Sequence, residues 1–393
     1  MEKKQIIFIE PKPTAMNYRI ARSLKLTGEY ETILFCFSKV DKEFYGKAYN
    51  HIFELELSHK LNRNFFRIFI NFLNTILSER GRIFLKKLRE VRPYIFQVTG
   101  PDVFSLMALS LSRKDITKIY FSNDMWGVET RKALFKRFGL KGEFQRICER
   151  ICFKMVDGVL NKHSLGQFEL LNYKVNAPKM ALLPCPLDEW IFPPKQKKNN
   201  EIHIVYGGSP FPSWNNNTIS FLDLIKIFTL QKIHLHSYGP SEDAGDNQIL
   251  REESRNNLYY HFHERVSPYN LNEESSEYTY GILPDFRDKS EVEENPGILK
   301  TENAAKVTNY LEAGLPTITS AQNEYTAEII NKYKIGFSIE EIDLKNFRKI
   351  LEAQNYLQLQ KNVRKFQKES STGNIVKDIE KFYEKVRMKK LAQ

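Results

Sequence analysis

Short apolar runs recur along the first half of the chain, separated by longer stretches whose apolar residues fall at helical spacing. Residues 5–9 (QIIFI), 33–37 (ILFCF), 94–98 (YIFQV), 117–121 (TKIYF) and 156–160 (VDGVL) have the length and composition of buried strands. Stretches 61–91 and 129–155 between them predict helices. Continuous apolar strands alternating with helices mean a parallel sheet covered on both faces. The same alternation restarts with 202–206 (IHIVY), 233–238 (IHLHSY), 258–262 (LYYHF), 279–283 (TYGIL) and 316–320 (PTITS). The chain therefore reads as two consecutive doubly wound α/β domains. Ligands of such sheets bind outside the carboxyl ends of the strands, so the default site is a cleft between the two domains.

The pattern lapses near Pro184, Pro186, Pro193 and Pro194, followed by Lys195 and a run of Gln, Lys and Asn. That is linker composition. The boundaries that follow are a first domain over 1–187, a linker over 188–200, a second domain over 201–370 and a C-terminal helix over 371–393. Apolar residues at 375, 376, 379, 382, 383 and 386 give that tail one apolar face. The acidic stretch 285–295 (DFRDKSEVEEN) has little apolar content and is expected to be an exposed, mobile loop.

Length and charge sharpen this picture. A chain of 393 residues is too long for one small core. No run approaches 18 apolar residues, so no spanning helix is expected. The apolar part of the N-terminus is too short for a signal peptide and reads as a first strand. The net charge of +11 is uneven: residues 1–187 carry 32 Lys/Arg and 18 Asp/Glu, and the remainder 27 and 30. A basic first half suggests an anionic partner such as a membrane surface, a phosphorylated acceptor or nucleic acid; a lysine-rich solvated surface is the alternative. No nucleic-acid recognition motif accompanies the charge. The segment from Phe65 to Leu73, with Arg80, Arg82, Lys86, Lys87 and Arg89 behind it, is either a core helix with a basic outer face or a membrane-contact helix. The four cysteines, Cys36, Cys148, Cys152 and Cys185, read as buried thiols of a cytoplasmic protein. His261 and His263 flank Phe262 as ordinary strand residues. No cluster has metal spacing, so neither a metal nor a cofactor is expected.

Hydride transfer and P-loop chemistry are excluded by the turn after the first strand, Glu10-Pro-Lys-Pro-Thr14, which has no glycine where phosphate-binding fingerprints need them. The most informative stretch is 305–320 (AKVTNYLEAGLPTITS). A short helix ends at Gly314, Pro316 follows and a strand begins, which is ordinary helix capping. Its start near Ala304–Lys306 offers backbone N–H groups, a helix dipole and the Lys306 ammonium to an anion.

This stretch resembles the donor motif of family-4 glycosyltransferases and their GT-B relatives. It stands here as Lys306, Asn309, Tyr310, Glu312, Ala313, Gly314 and Pro316. Further pieces resemble the family in its order. Gly207-Gly208-Ser209 resembles the turn that opens the donor domain, Tyr238-Gly239-Pro240 the end of the next strand, and Tyr280-Gly281-Ile-Leu-Pro284 the loop around the donor sugar. Tyr120 to Trp126, Val156 to Val159 with Ser164, and Leu183 to Asp188 with Phe192 extend the likeness over most of the chain.

The resemblance implies a GT-B fold: two Rossmann-like domains facing a cleft, with the C-terminal helix crossing back to the first. It implies a hexosyltransferase that retains anomeric configuration and needs no metal. The donor would be a nucleotide-diphosphate-sugar, bound as substrate by the second domain. The acceptor would be a glycan or a lipid-linked glycan, in cell-surface polysaccharide synthesis at the cytoplasmic face of a membrane. Donor contacts would come from Gly207, Gly208, Ser209, Gly239, Arg265, Pro284, Lys300, Lys306, Asn309 and Tyr310. Lys306, Lys300 and Arg265, in that order, would meet the diphosphate. Asp124, Asp102 and Glu302 are the candidate catalytic carboxyls, and helix N-capping competes for Asp124 and Asp102.

The chain departs from the family where charge matters. Asn309 replaces a carboxylate that would hold the ribose, and the first acidic position falls at Thr301, beside Glu302. The Arg and Lys common after the Gly-Gly turn are absent from 207–220, where Trp214 and three asparagines stand. Two other functions fit the same architecture: a sugar-nucleotide epimerase, and a degenerate binding or scaffold protein.

Overall fold

A computed structural model describes residues 3–56, 74–195, 201–208, 210, 217–239, 244–294 and 296–392. The chain divides into two compact units. One is Met1–Leu183 with Ile375–Gln393, the other Pro184–Asn374.

The first unit is built on a seven-stranded sheet. Its strands are β1 (Lys4–Glu10), β2 (Tyr30–Cys36), β3 (His51–Glu54), β4 (Ile95–Thr99), β5 (Lys118–Ser122), β6 (Gly158–Asn161) and β7 (Lys179–Ala181), in the order β3-β2-β1-β4-β5-β6-β7. Every pairing is parallel. Strands β4, β5 and β6 are buried throughout, and β1 and β2 over their last five residues, with their backbone polar groups satisfied within the sheet. One core cluster gathers Ile7, Ile9, Phe35, Phe96, Val98, Tyr120 and Phe153. The order reverses between β1 and β4, which makes their carboxyl ends the topological switch point of this sheet.

The second unit repeats the plan with six parallel strands: β8 (His203–Tyr206), β9 (His234–Tyr238), β10 (Tyr260–His263), β11 (Tyr280–Leu283), β12 (Thr317–Ser320) and β13 (Gly336–Ile339). The order β10-β9-β8-β11-β12-β13 puts its switch point between β8 and β11. Ile204, Tyr206, Leu235, Tyr260, Tyr280 and Ile282 alternate onto one face and pack with Phe221, Phe228 and Phe347.

The C-terminal helix, Thr372–Leu391, returns to the first sheet. Val386 packs over Gly158, where a side chain's Cβ would come within 2.7 Å of it. The buried Tyr383 hydroxyl donates to Gln97 at 2.6 Å, Gln97 donates to Asn17, and Asn17 donates to Thr99. Lys390 reaches Asp157 at 2.7 Å.

Three expectations change. The stretch 129–155 is two helices, Arg131–Phe138 and Leu140–Met155, because Gly139 between them takes a positive φ of 59°. The acidic stretch is no loose loop: Phe286 is buried, and Lys289–Glu294 and Pro296–Thr301 are helical. The proline-rich stretch as far as Lys195 is packed into the second unit. There the Phe192 N–H donates to the Glu312 carbonyl, the Lys195 N–H donates to that of Ser276, and Trp190 is buried. The segment Phe65–Leu73, Ser209 and Trp214 lie outside the described residues.

Candidate functional site

The carboxyl ends of β8 and β11 frame the switch point of the second unit. Gly207 and Gly208 follow β8 and Pro284 follows β11. Tyr310, on the Lys306–Glu312 helix, joins the two ends. Its hydroxyl accepts from the Gly207 N–H at 3.0 Å and donates to the Ile282 carbonyl at 2.9 Å. The ring lies flat on Gly281, where any Cβ would stand 2.3 Å from it. Glycine at 281 is thus a packing requirement of Tyr310. The Lys306 side chain runs over Gly208, leaving 2.2 Å between its Cε and a Cβ built there, and its ammonium sits 5.3 Å from the Tyr206 ring centroid.

These contacts bring Gly207, Gly208, Lys306 and Tyr310 together at the switch point, with Tyr310 as part of its framework. Tyr310 is buried and its hydroxyl has two backbone partners, so it builds the turn. Asn309 is half-buried on the same helix and Pro284 is buried at the end of β11. Gly239, after β9, gives its N–H to the His263 carbonyl and abuts Phe262. Arg265 and Lys300 are exposed. Glu302 is half-buried, and its carbonyl accepts from the Thr326 hydroxyl.

Glu312, a motif residue given no role from sequence, has a structural one. It is fully buried, with its carboxylate accepting from the Leu187 N–H at 2.9 Å and from the Asn272 amide at 2.6 Å. It staples the incoming chain to this helix. The carboxylate in the 306–316 motif was its available signal.

The strand ends of the first unit carry a second set of groups. Asp124 follows β5, is exposed, and lies 3.6 Å from the ammonium of the buried Lys162 after β6. It caps no helix: Met125 begins the next turn without a side-chain cap. His163 is buried, and its Nε2 is 2.7 Å from the Asn123 carbonyl. Burial, reinforced by Lys162, pushes its pKa down to about 3, so the ring is neutral and Nε2 donates. Asp102 is a helix cap. Its Oδ1 accepts from the N–H groups of Phe104 and Ser105, both at 2.9 Å, and burial raises its pKa to about 7. With that commitment it is a poor candidate for acid–base work.

Two buried carboxyls nearby were not anticipated. Glu10, at the end of β1, accepts from the Thr14 N–H and the Tyr49 hydroxyl, and burial lifts its pKa to about 7. Glu149 accepts from the N–H groups of Trp126 and Gly127 and from the Tyr173 hydroxyl, and burial lifts its pKa to about 8. It fixes the loop behind Asp124. Charged residues in otherwise apolar helical and strand patterns were the signal.

A third cluster gathers histidines that lie far apart in the sequence. His203, His234, His236, His261 and His263 stack side by side on the face of the second sheet opposite its aromatic core. Glu201 joins His203 and His234, with ligand atoms all within 4.8 Å of one another. The signal was the His-x-His spacing of β9 and β10, which parallel register sets side by side.

The architecture is that of GT-B glycosyltransferases. Residues 224–381 match the glucosyltransferase 3-like C-terminal domain. Among solved structures, a glycosyltransferase from Rickettsia africae aligns over 98% of this chain and 99% of its own, with a TM-score of 0.63 and 12% identity. TcCGT1 in complex with UDP aligns over 98% and 100%, with a TM-score of 0.56 and 11% identity. The lipopolysaccharide outer core galactosyltransferase WaaB aligns over 96% and 98%, with a TM-score of 0.54 and 14% identity. Such identities establish shared fold alone. No curated protein matches the chain in sequence. The chain is glycosyltransferase-like by fold throughout and by sequence over most of its second unit.

Proposed function

We propose that the chain transfers a hexosyl group from a nucleotide-diphosphate-sugar to a glycan or lipid-linked acceptor in cell-surface polysaccharide synthesis. The observation that carries this reading is the Gly207–Gly208 turn at the β8/β11 switch point, pinned by Tyr310 and overlaid by Lys306, in a unit whose residues from 224 onward match a glucosyltransferase-like domain. A glycine turn lets backbone approach a phosphate, and Lys306 supplies positive charge for the leaving diphosphate. UDP in TcCGT1 and the lipopolysaccharide acceptor named for WaaB support the donor and acceptor classes.

Transfer proceeds with retention and with no metal at the diphosphate; both features come from the family resemblance. Asp124, exposed at the strand ends of the first unit, is the carboxylate to test on the acceptor side. The enzyme works at the cytoplasmic face of a membrane, held by the positive charge of its first half. Among the described residues no helix is long and apolar enough to cross a membrane.

The test is a thermal-shift panel of nucleoside diphosphates, followed by calorimetry on Lys306→Ala. A ligand that binds only the folded state raises the melting temperature by mass action. One diphosphate should stabilise the wild type and bind the variant more weakly. No stabilisation by any of them would overturn the reading, and unchanged affinity would remove Lys306 from the site. Product formation only with acceptor present separates transfer from epimerisation.

A further inference from the structure

Five of the chain's eight histidines lie on three adjacent strands of one sheet face. Two hydrogen-bonded rows cross this face. In one, His203 Nδ1 meets His236 Nε2 at 2.9 Å and His236 Nδ1 meets His263 Nε2 at 3.0 Å. In the other, His234 Nδ1 meets His261 Nε2 at 2.9 Å. Both rows begin at Glu201, whose Oε2 lies 3.8 Å from His203 Nε2 and 3.5 Å from His234 Nε2.

Those two distances are too long for direct hydrogen bonds. They fall close to the separation of about 3.3 Å between ligand atoms on a tetrahedral ion with bonds near 2.0–2.1 Å. We infer that Glu201, His203 and His234 form a binding site for a divalent transition-metal ion such as zinc, through Oε2 and the two Nε2 atoms.

Each link in the rows uses one N–H and one lone pair, so each row can run in either direction. When every Nδ1 donates, His203 and His234 both turn Nε2 lone pairs toward the Glu201 carboxylate. Three electron-rich atoms then converge on one point, and a cation there is the natural complement. The second nitrogen of each ligand is meanwhile held by His236 or His261. That is the outer-shell arrangement that fixes the tautomer and orientation of metal-binding histidines. Imidazole and carboxylate together suit zinc and its neighbours better than calcium or magnesium. Glu201 is half-exposed, so it can close on the ion, and solvent can supply the fourth ligand. His203 and Glu201 lie at the entry to β8 and Gly207 at its exit, so the ion belongs to the scaffold of the unit and takes no part in sugar transfer.

The test is calorimetric titration of the full chain with zinc after chelator treatment, paired with the absorption spectrum of the cobalt-loaded protein. One ion per chain should bind, and cobalt should give a nitrogen–oxygen spectrum without thiolate charge transfer. Glu201→Gln, at an exposed position, and His203→Gln should each lower affinity about tenfold or more, and His236→Gln by about 10–100-fold through the outer shell. Circular dichroism identifies any variant that fails to fold; Glu201→Gln alone then decides. No stoichiometric uptake, uptake unchanged in Glu201→Gln, or a thiolate spectrum assigning the ion to the buried cysteines would overturn the assignment.

Discussion

The hydroxyl of Tyr310 accepts from the Gly207 N–H and donates to the Ile282 carbonyl, spanning the crevice where the strand order of the second sheet reverses. Tyr310→Phe leaves two buried backbone groups without their partner. It should destabilise the chain by about 1–3 kcal/mol in urea unfolding. It should also weaken nucleotide binding by loosening the turn. Equal loss of stability with unchanged nucleotide affinity would separate the turn from the donor site.

Gly208 tests the same junction from the other side. In Gly208→Ala the new methyl group meets Lys306 Cε and the Tyr206 ring. Lys306 can swing away at that point, but the buried Tyr206 ring, 2.7 Å from the added Cβ, has little room, so the unliganded melting temperature should also fall. The stabilisation given by a nucleoside diphosphate should fall, as in Lys306→Ala. The double variant should lose less than the sum of the single ones, since the methyl group at 208 acts in part by displacing Lys306.

Asn309 can hydrogen-bond a ribose diol only as a neutral partner, with bonds roughly half as strong as charge-assisted ones. Asn309→Glu should therefore bind nucleotide as well as the wild type or more tightly. Asn309→Leu should cost about 1–3 kcal/mol of binding. Calorimetry on the two variants checks the pair, and a leucine variant that binds like the wild type would refute the assignment of this helix to the donor.

Glu149 predicts a pH dependence of stability with a definite sign. Its folded pKa of about 8 stands above the usual 4.5. The folded state therefore holds a proton that the unfolded chain releases between those values. The stability it brings is complete below pH 4.5 and is lost as pH rises through 8. Denaturation midpoints should decline over this window, and Glu149→Gln should flatten the decline. An identical slope in the variant would show that another group, Glu10 or Asp102, dominates.

Association with anionic membranes should follow salt. The helices from Arg131 to Met155 expose Phe135, Leu140, Ile147 and Ile151 among lysines and arginines. Flotation with phosphatidylserine vesicles should be strong at low salt and fall as screening shortens to about 8–10 Å. Phe135→Ser with Leu140→Ser should weaken it further. Absence of binding at low salt would remove the membrane from the reading.

The sheets were legible because their central strands are short apolar runs buried on both faces. The short strand His51–Glu54 escaped because it is half-exposed at an edge and carries no apolar run. Lys179–Ala181, at the other edge, is only three residues long. The Gly207–Lys306–Tyr310 junction was legible because its parts sit in recognisable motifs. The burial of Tyr310 was not, since a motif does not say which way a ring points. The histidine cluster was hidden for another reason. Within β9 or β10, His-x-His states only that two rings share a face. That β9 and β10 set their pairs side by side, with the single His203 of β8 next to them, is fixed by register, which no single segment contains.

The return of the C-terminal helix to the first sheet orders events on the ribosome. Tyr383, Val386 and Lys390 complete the core and rim around Gln97, Gly158 and Asp157, yet they are made after the whole second unit. Domains generally fold from the N-terminus as they emerge. Here the earlier unit must wait, with its Gln97 side of the sheet uncovered, while the later unit closes ahead of it. The nascent chain thus spends the time needed to synthesise about 190 residues with its first half unfinished, and a truncation near residue 375 would make that state permanent.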